Sequence, residues 1–363
     1  MVETASKEMT RRVGIVTLPG NFNYGNRLQL YATQRAFSGF GCSTSELVLI
    51  DNGSAVRVIK DIVKRIIGWK GRPGPEDVMT PERREAFKRF SANIVTEIVP
   101  RIDQGLSERF DLFSVGSDQV WNPNYISNKD DWFFLKFANP SRRMALAASV
   151  GIDYLDDSQA ERLRHGVEGF SSISVRERRG AELIKKCSGR YAEVLCDPTL
   201  TLSSDEWCSV ADHRLTPESS YVLAYLLGEP NAEASEILEE VTEHGRIDVV
   251  PLSDRQKECE PDAGPAEFIS LVEHAEHVVT DSFHAAVFSC IFQRPLTIVR
   301  RLGGASMFSR MEQLTQMLGI ENKIAGVRGF DLRNASDYTG VPEAIEFERK
   351  KFMSYLQGCL KER

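Results

Sequence analysis

Nowhere in its 363 residues does this chain hold the ~18–20 consecutive apolar residues that a membrane-spanning helix requires. The first twelve residues are polar and run directly into an apolar segment, so no secretory leader is expected. Basic charge is not in excess: 45 Lys+Arg stand against 52 Asp+Glu, a formal charge of −7. Bulk charge therefore does not hold this chain to nucleic acid or anionic lipid, although a local basic cleft stays open. Cysteine is scarce and odd in number, at Cys42, Cys187, Cys196, Cys208, Cys259, Cys290 and Cys359. None form C-x-x-C and none stand beside histidine at the usual zinc spacing, so the expectation is reduced thiols, a cytoplasmic protein and no metal. Internal repeats and low-complexity segments are absent too. With 42% hydrophobic and 27% charged residues the composition is that of an ordinary globular protein, and the length suggests two domains.

What is present is an alternation of short apolar runs and amphipathic stretches. Strands are expected over 13–18, 46–50, 111–115, 144–150, 172–175 and 193–196, then over 221–227, 247–252, 277–280 and 296–299. Helices are expected over 26–38, 55–67, 81–94 and 181–186, then over 232–244, 265–274, 285–292, 308–318 and 341–360, with a Gly/Pro-rich loop over 69–81. Strand–helix alternation means parallel sheets covered on both faces. The strands are too many for one compact sheet, and the stretch 203–220 is polar. The expected fold is α/β, with two Rossmann-like domains whose mostly parallel sheets face a cleft. The divisions are 1–205, 206–340 and a C-terminal helix over 341–363. Such sheets bind ligands at the carboxyl ends of their strands.

Four junctions of that kind carry chemistry. The first strand ends in Pro19-Gly20-Asn21-Phe22-Asn23-Tyr24-Gly25-Asn26-Arg27. The two glycines have the spacing of a phosphate loop, but Asn26 and Arg27 replace its Lys and Ser/Thr, and G-x-G-x-x-G is absent, which removes the ATP and dinucleotide readings. The segment is then either a plain turn or a ligand wall built from Asn21, Asn23, Asn26 and Gln29 beside a helix N-terminus. The second junction is Gly116-Ser117-Asp118-Gln119-Val120-Trp121-Asn122. It offers Ser117 and Gln119 to sugar hydroxyls, Trp121 to stack on a ring and Asp118 as proton acceptor, or it is a capped turn with a core tryptophan.

The third junction is Ser174-Val175-Arg176-Glu177-Arg178-Arg179, where arginines crowd a helix start against the dipole preference. An anionic ligand would remove that conflict, and Arg176, nearest the strand end, is either its binder or a solvated surface arginine. Arg179 reads as a surface residue. The fourth is Thr280-Asp281-Ser282-Phe283-His284. Ser282 or Asp281 can cap a helix there, which puts His284 in its first turn, either as a structural histidine or fit to hold an anion or deliver a proton. The other five histidines, His165, His213, His244, His274 and His277, are given no role. Glu267-Phe268, Arg300, Arg301 and Arg310 are lesser candidates for an anion site or plain surface and capping residues.

In this order, GNFNYGNRLQLYA, FSVGSDQVWNP, ISVRERRGAELI, LCDPTLTLSSDEW and the stretch from PAEFISLVEHAEHVVTDSFHAA through SRMEQL resemble the polysaccharide pyruvyl transferase family, over about residues 13–320. The resemblance implies a GT-B-like pair of Rossmann-type domains, with the acceptor on the N-terminal and the donor on the C-terminal one. It implies transfer of the enolpyruvyl unit of phosphoenolpyruvate to sugar hydroxyls of a cell-surface polysaccharide or lipid-linked oligosaccharide precursor, usually as a cyclic ketal, with loss of phosphate. It maps donor binding onto Arg176 and His284. One departure is Ser282, which stands where some members carry arginine; either another cation, Arg310 or Arg301, takes its place or the donor differs. The scheme implied is His284 as phosphate binder or general acid, Asp118 as base or acceptor binder and Arg176 as clamp, without cofactor, metal or nucleic acid. A lipid-linked acceptor would bring the enzyme to the inner face of the membrane. Two other readings stay open: a GT-B glycosyltransferase using a nucleotide sugar, and a sugar-binding relative without turnover.

Overall fold

The computed structural model describes residues 10–20, 22–50, 78–126, 129–301 and 305–361. Asn21, the helix expected over 55–67 and most of the loop expected over 69–81 lie outside the described residues. Eleven strands and twelve α-helices alternate among the described residues. The first half runs β1 (Arg12–Val16), α1 (Tyr24–Ser38), β2 (Ser43–Leu49), α2 (Pro81–Ser91), β3 (Thr96–Val99), α3 (Gln104–Glu108), β4 (Leu112–Val115), α4 (Asp130–Phe133) and β5 (Arg143–Ala148). It continues with α5 (Asp157–Val167), β6 (Ser172–Val175), α6 (Arg178–Ser188) and β7 (Glu193–Val194). After α7 (Ser204–Cys208) come β8 (Tyr221–Tyr225), α8 (Ala232–Val241), β9 (Asp248–Leu252), α9 (Pro265–Glu273) and β10 (His277–Thr280). Last are α10 (Phe283–Phe292), β11 (Leu296–Ile298), α11 (Ala305–Leu318) and α12 (Val341–Lys361).

The strands form a seven-stranded sheet, β3-β2-β1-β4-β5-β6-β7, and a four-stranded sheet, β11-β10-β8-β9. Their pairings are parallel throughout, as continuous apolar runs such as VGIV and VLA require of strands buried on both faces. In the large sheet the strand order reverses between β1 and β4, and in the small one between β8 and β10. Open α/β sheets bind ligands outside such switch points. The loops after all four of these strands line one cavity, to which the chain contributes Leu18–Gly20, Asp118–Gln119, Leu227 and Asp281–His284.

The two sheets are not independent bodies. The largest buried cluster joins Val13 and Ile15 of β1 to Tyr221, Leu223 and Tyr225 of β8. Tyr24 stacks on Phe268 with ring centroids 5.0 Å apart, and its hydroxyl donates to the Ala263 carbonyl at 2.8 Å. Thus the first turn of α1 is anchored directly on α9. Helix α12 returns to the first half, where Arg349 donates to the Leu202 carbonyl at 3.0 Å and Tyr355 to that of Ala145 at 3.2 Å. Among the described residues no helix is long and apolar enough to cross a membrane.

Candidate functional site

The cavity between the sheets measures about 360 Å³. Two helices open into it by their N-termini, α1 through Asn23, Gly25 and Asn26, and α10 through Ser282, Phe283 and His284. Neither helix has an acidic residue in its first turn. Asn23 caps α1 by accepting from the Asn26 amide at 3.0 Å, whereas Ser282 makes no side-chain cap bond. First-turn amides and aligned peptide dipoles at both ends favour an anion.

His284 lies across the junction. A Cβ on Gly25 would sit 2.0 Å from its Nδ1, so only glycine lets α1 approach the ring this closely. On the far side the ring meets Asp197, with Nε2 3.8 Å from Oδ2. Asp197 stands just after β7 and was passed over as a candidate, although LCDPTLTL contains it. Its other oxygen accepts from the Thr199 amide at 3.0 Å and hydroxyl at 2.7 Å. Burial raises the Asp197 pKa, but His284, Arg176 and the Thr199 amide together hold it far below the usual carboxylate range.

Arg176 completes this cluster from below. One guanidinium nitrogen donates to Asp197 at 2.7 Å and another to Asp118 at 3.2 Å, and the side chain is only 2% exposed. It thus meets His284 through Asp197. It does not project into the cavity as the clamp expected from the sequence, because two carboxylates already occupy its fork. Asp118 does line the cavity. It has a positive φ of 66°, which aspartate tolerates, and it accepts from Asn26 Nδ2 at 3.2 Å and from the Gln119 amide at 2.8 Å. Burial raises its pKa, yet Arg176, Asn26, His284 and the Gln119 amide bring it below the ordinary value. A carboxylate held ionised in this way is a poor proton acceptor, which disfavours the expected role of base.

The cations on the other wall come from the segment after β11 and from α11. Arg301 reaches the cavity with its Nε 2.8 Å from Asp281 Oδ2, so its charge is matched. Arg310 also lines the cavity, and burial together with the Arg176 charge pushes its pKa down to about 10, leaving it cationic at neutral pH. Gln313, one turn further along α11, donates to the Arg176 carbonyl at 2.8 Å and accepts from the Arg178 amide at 2.6 Å. Helix α11 is thereby tied to the end of β6. Arg300 pairs with Glu312, Arg179 with Glu182 and Glu267 with Arg89, none of them among the cavity's lining residues.

Other expected contacts fall below the surface. Trp121 is a core residue: it is 2% exposed, stacks on Phe134, meets Phe170 edge-on and donates to the Phe133 carbonyl. No sugar ring can reach it there. Gln29 is fully buried and supports the cavity wall, donating to Thr17 and accepting from the Ser117 amide. Ser117 is buried beside it. Asn23, Asn26, Gln119 and Ser282 line the cavity, joined by Tyr125, Tyr225 and Asp254, which sequence reasoning did not single out.

A family model described as polysaccharide pyruvyl transferase matches residues 23–301, a span holding the last three junctions whole and the first from Asn23 onward. The chain belongs to that family. Within the polysaccharide pyruvyl transferases the match runs from the cap of α1 to the Arg301–Asp281 pair. No curated protein gives a significant match. Among solved structures, a UDP-GlcNAc 2-epimerase from Neisseria meningitidis bound to UDP-GlcNAc is similar at 11% identity and a TM-score of 0.44, covering 94% of this chain and 99% of that one. A UDP-GlcNAc 2-epimerase from Methanocaldococcus jannaschii shares 15% identity at a TM-score of 0.44, over 93% of this chain and 92% of that one. A glycosyltransferase from Streptomyces nogalater shares 13% identity at 0.40, over 97% and 98%. Likeness at this level says nothing about what this member binds.

Proposed function

We propose that this family member transfers the pyruvyl group of phosphoenolpyruvate to sugar hydroxyls of a cell-surface polysaccharide or lipid-linked oligosaccharide precursor, releasing phosphate. The observation that carries the reading is the convergence of two helix N-termini, Arg310 and His284 on one cavity. Phosphoenolpyruvate presents a phosphate and a carboxylate on three carbons, and such a pair of anionic groups calls for fixed cations and oriented amides.

Protonation of the methylene carbon develops positive charge at the neighbouring carbon. One sugar hydroxyl adds there, and a second displaces phosphate to close a ketal. Of the two hydroxyl protons, one ends on carbon and the other leaves with phosphate, so no oxidant or reductant enters. Among the described residues His284 is the one imidazole lining the cavity, and it carries the proton traffic. Arg176 with Asp118 and Asp197 has one net negative charge, and a proton on His284 brings the four groups to neutrality. Asp197 is a positioning residue, while Asp118, an anion facing the cavity, stabilises the developing positive carbon. Arg310 takes the place that the sequence reading gave to Arg176. Asn23, Gln119 and Tyr125 offer hydroxyl-binding groups to the acceptor on the N-terminal side.

The test is phosphate release from phosphoenolpyruvate against a panel of aryl and lipid-linked glycosides, with the product weighed by mass spectrometry. A glycoside that gains a pyruvyl ketal in step with phosphate supports the proposal. Turnover of nucleotide sugars with no phosphate from phosphoenolpyruvate contradicts it.

A further inference from the structure

Away from the cavity, three residues that the mechanism leaves idle come together at the end of α9. His213 from the connecting segment, Glu273 and His274 each place one metal-ligand atom within 4.8 Å of the other two. None of the three lines the cavity. We propose that this cluster is a binding site for a divalent transition-metal ion, zinc above all, held by two imidazoles and a carboxylate.

The surroundings are arranged as outer partners of such a site. The His274 Nδ1 hydrogen bond to the Ser270 carbonyl, at 3.0 Å, requires the proton on Nδ1 and leaves a lone pair on Nε2. His213 Nδ1 lies 2.7 Å from the Ser270 hydroxyl, which in turn contacts the Thr216 hydroxyl at 2.6 Å. One residue thus steadies both rings, as the outer partners of metal-bound histidines do. The Cys208 thiol, from the last turn of α7, donates to Glu273 Oε1 at 3.1 Å. The other oxygen, Oε2, is buried and accepts no hydrogen bond. It lies 3.7 Å from His274 Nδ1. Buried carboxylate oxygens ordinarily have partners, and a cation supplies one here.

Tetrahedral zinc needs donors about 3.4 Å apart, so the two exposed rings must turn to bring their ligand nitrogens onto the ion. Two nitrogens and one oxygen suit zinc, cobalt or nickel and not magnesium or calcium, which require all-oxygen shells. Three protein ligands leave a fourth position for water. A metal here would tie the connecting segment to the last turn of α9, near where the chain passes from one sheet to the other.

The experiment uses the untagged full chain, stripped with chelator and dialysed against zinc chloride. One zinc per chain is expected by elemental analysis, with a rise in Tm of roughly 2–8 °C that magnesium does not reproduce. Cobalt should give visible d–d bands of tetrahedral intensity. His213→Ala with His274→Ala should abolish all three effects. Glu273→Gln, which keeps the shape and the Cys208 contact, should weaken zinc binding at least tenfold and serves if the double variant does not fold. Stoichiometry below one, or zinc retained undiminished by these variants, overturns the proposal.

Discussion

Gly25 and His284 are packed so closely that a single added methyl group would overlap the imidazole, its carbon 2.0 Å from Nδ1. The contact joins the first turn of α1, on the seven-stranded sheet, to the first turn of α10, on the four-stranded one. The clash falls on a side chain that can swing away rather than on fixed backbone. Gly25→Ala is therefore expected to displace the ring and reduce kcat for pyruvyl transfer by about 10²-fold or more, approaching His284→Ala. Its Tm should stay within a few degrees of the parent. Steady-state phosphate release and a thermal melt on both variants check this.

Asp197 links the two groups that the sequence pointed to, lying 2.7 Å from Arg176 and 3.8 Å from His284. Asp197→Asn removes a buried charge and leaves Arg176 with Asp118 alone. The expected effect is a large fall in kcat, a shift in the pH profile of kcat, and a loss of stability on the order of 3 kcal/mol. Because folding lowers this carboxyl's pKa, its stabilisation is complete above the ordinary carboxylate pKa of about 4 and disappears as pH falls through the folded value. The stability gap between parent and variant should accordingly shrink in acid. A gap independent of pH contradicts the assignment.

His277 gives a second pH signature, at the start of β10. It is buried against Thr297, and burial together with Lys323 lowers its pKa to about 4. The unfolded chain takes up a proton as pH falls through about 6.5, whereas the folded chain does not until about 4. Stability should therefore be flat above about 6.5 and decline between 6.5 and 4, by at most about 3 kcal/mol from this residue. Denaturant titrations across that range should show the decline reduced in His277→Gln.

Trp121 supplies a control. Since it is packed on Phe134 and Phe170, Trp121→Phe is expected to lower Tm while leaving the KM for any glycoside acceptor within about twofold. A selective rise in acceptor KM with unchanged stability would return the residue to the cavity wall.

These cases also mark how much the sequence disclosed. Parallel strands such as Arg12–Val16, buried from Val13 onward, and His277–Thr280 lie between covering layers, so their apolar runs stand out and place the ligand-bearing loops at their ends. Strand β3 was missed because it is a short edge strand whose Ile98 is half exposed, which leaves no apolar run. Helix α5 was missed although Asp156 and Gln159 form a capping box ahead of it. Within the site, type and position on the loop singled out Asp118 and His284. They could not tell whether a polar side chain points into the cavity or beneath it. That depends on contacts between residues far apart in sequence, such as Arg176 with Asp197 or Gln29 with Ser117. Asp197 itself was hidden by its setting, since Asp-Pro-Thr also reads as an ordinary capped turn.

The central claim is that the cavity between the sheets holds a small doubly anionic donor through Arg310, His284 and two helix ends. Calorimetric titration of phosphoenolpyruvate into the parent, Arg310→Ala and His284→Ala tests it most directly. The account predicts one saturable site in the parent, weakened by added salt and by at least tenfold in each variant, with Tm raised by the same ligand only in the parent. Equal phosphoenolpyruvate affinity in all three proteins would contradict it.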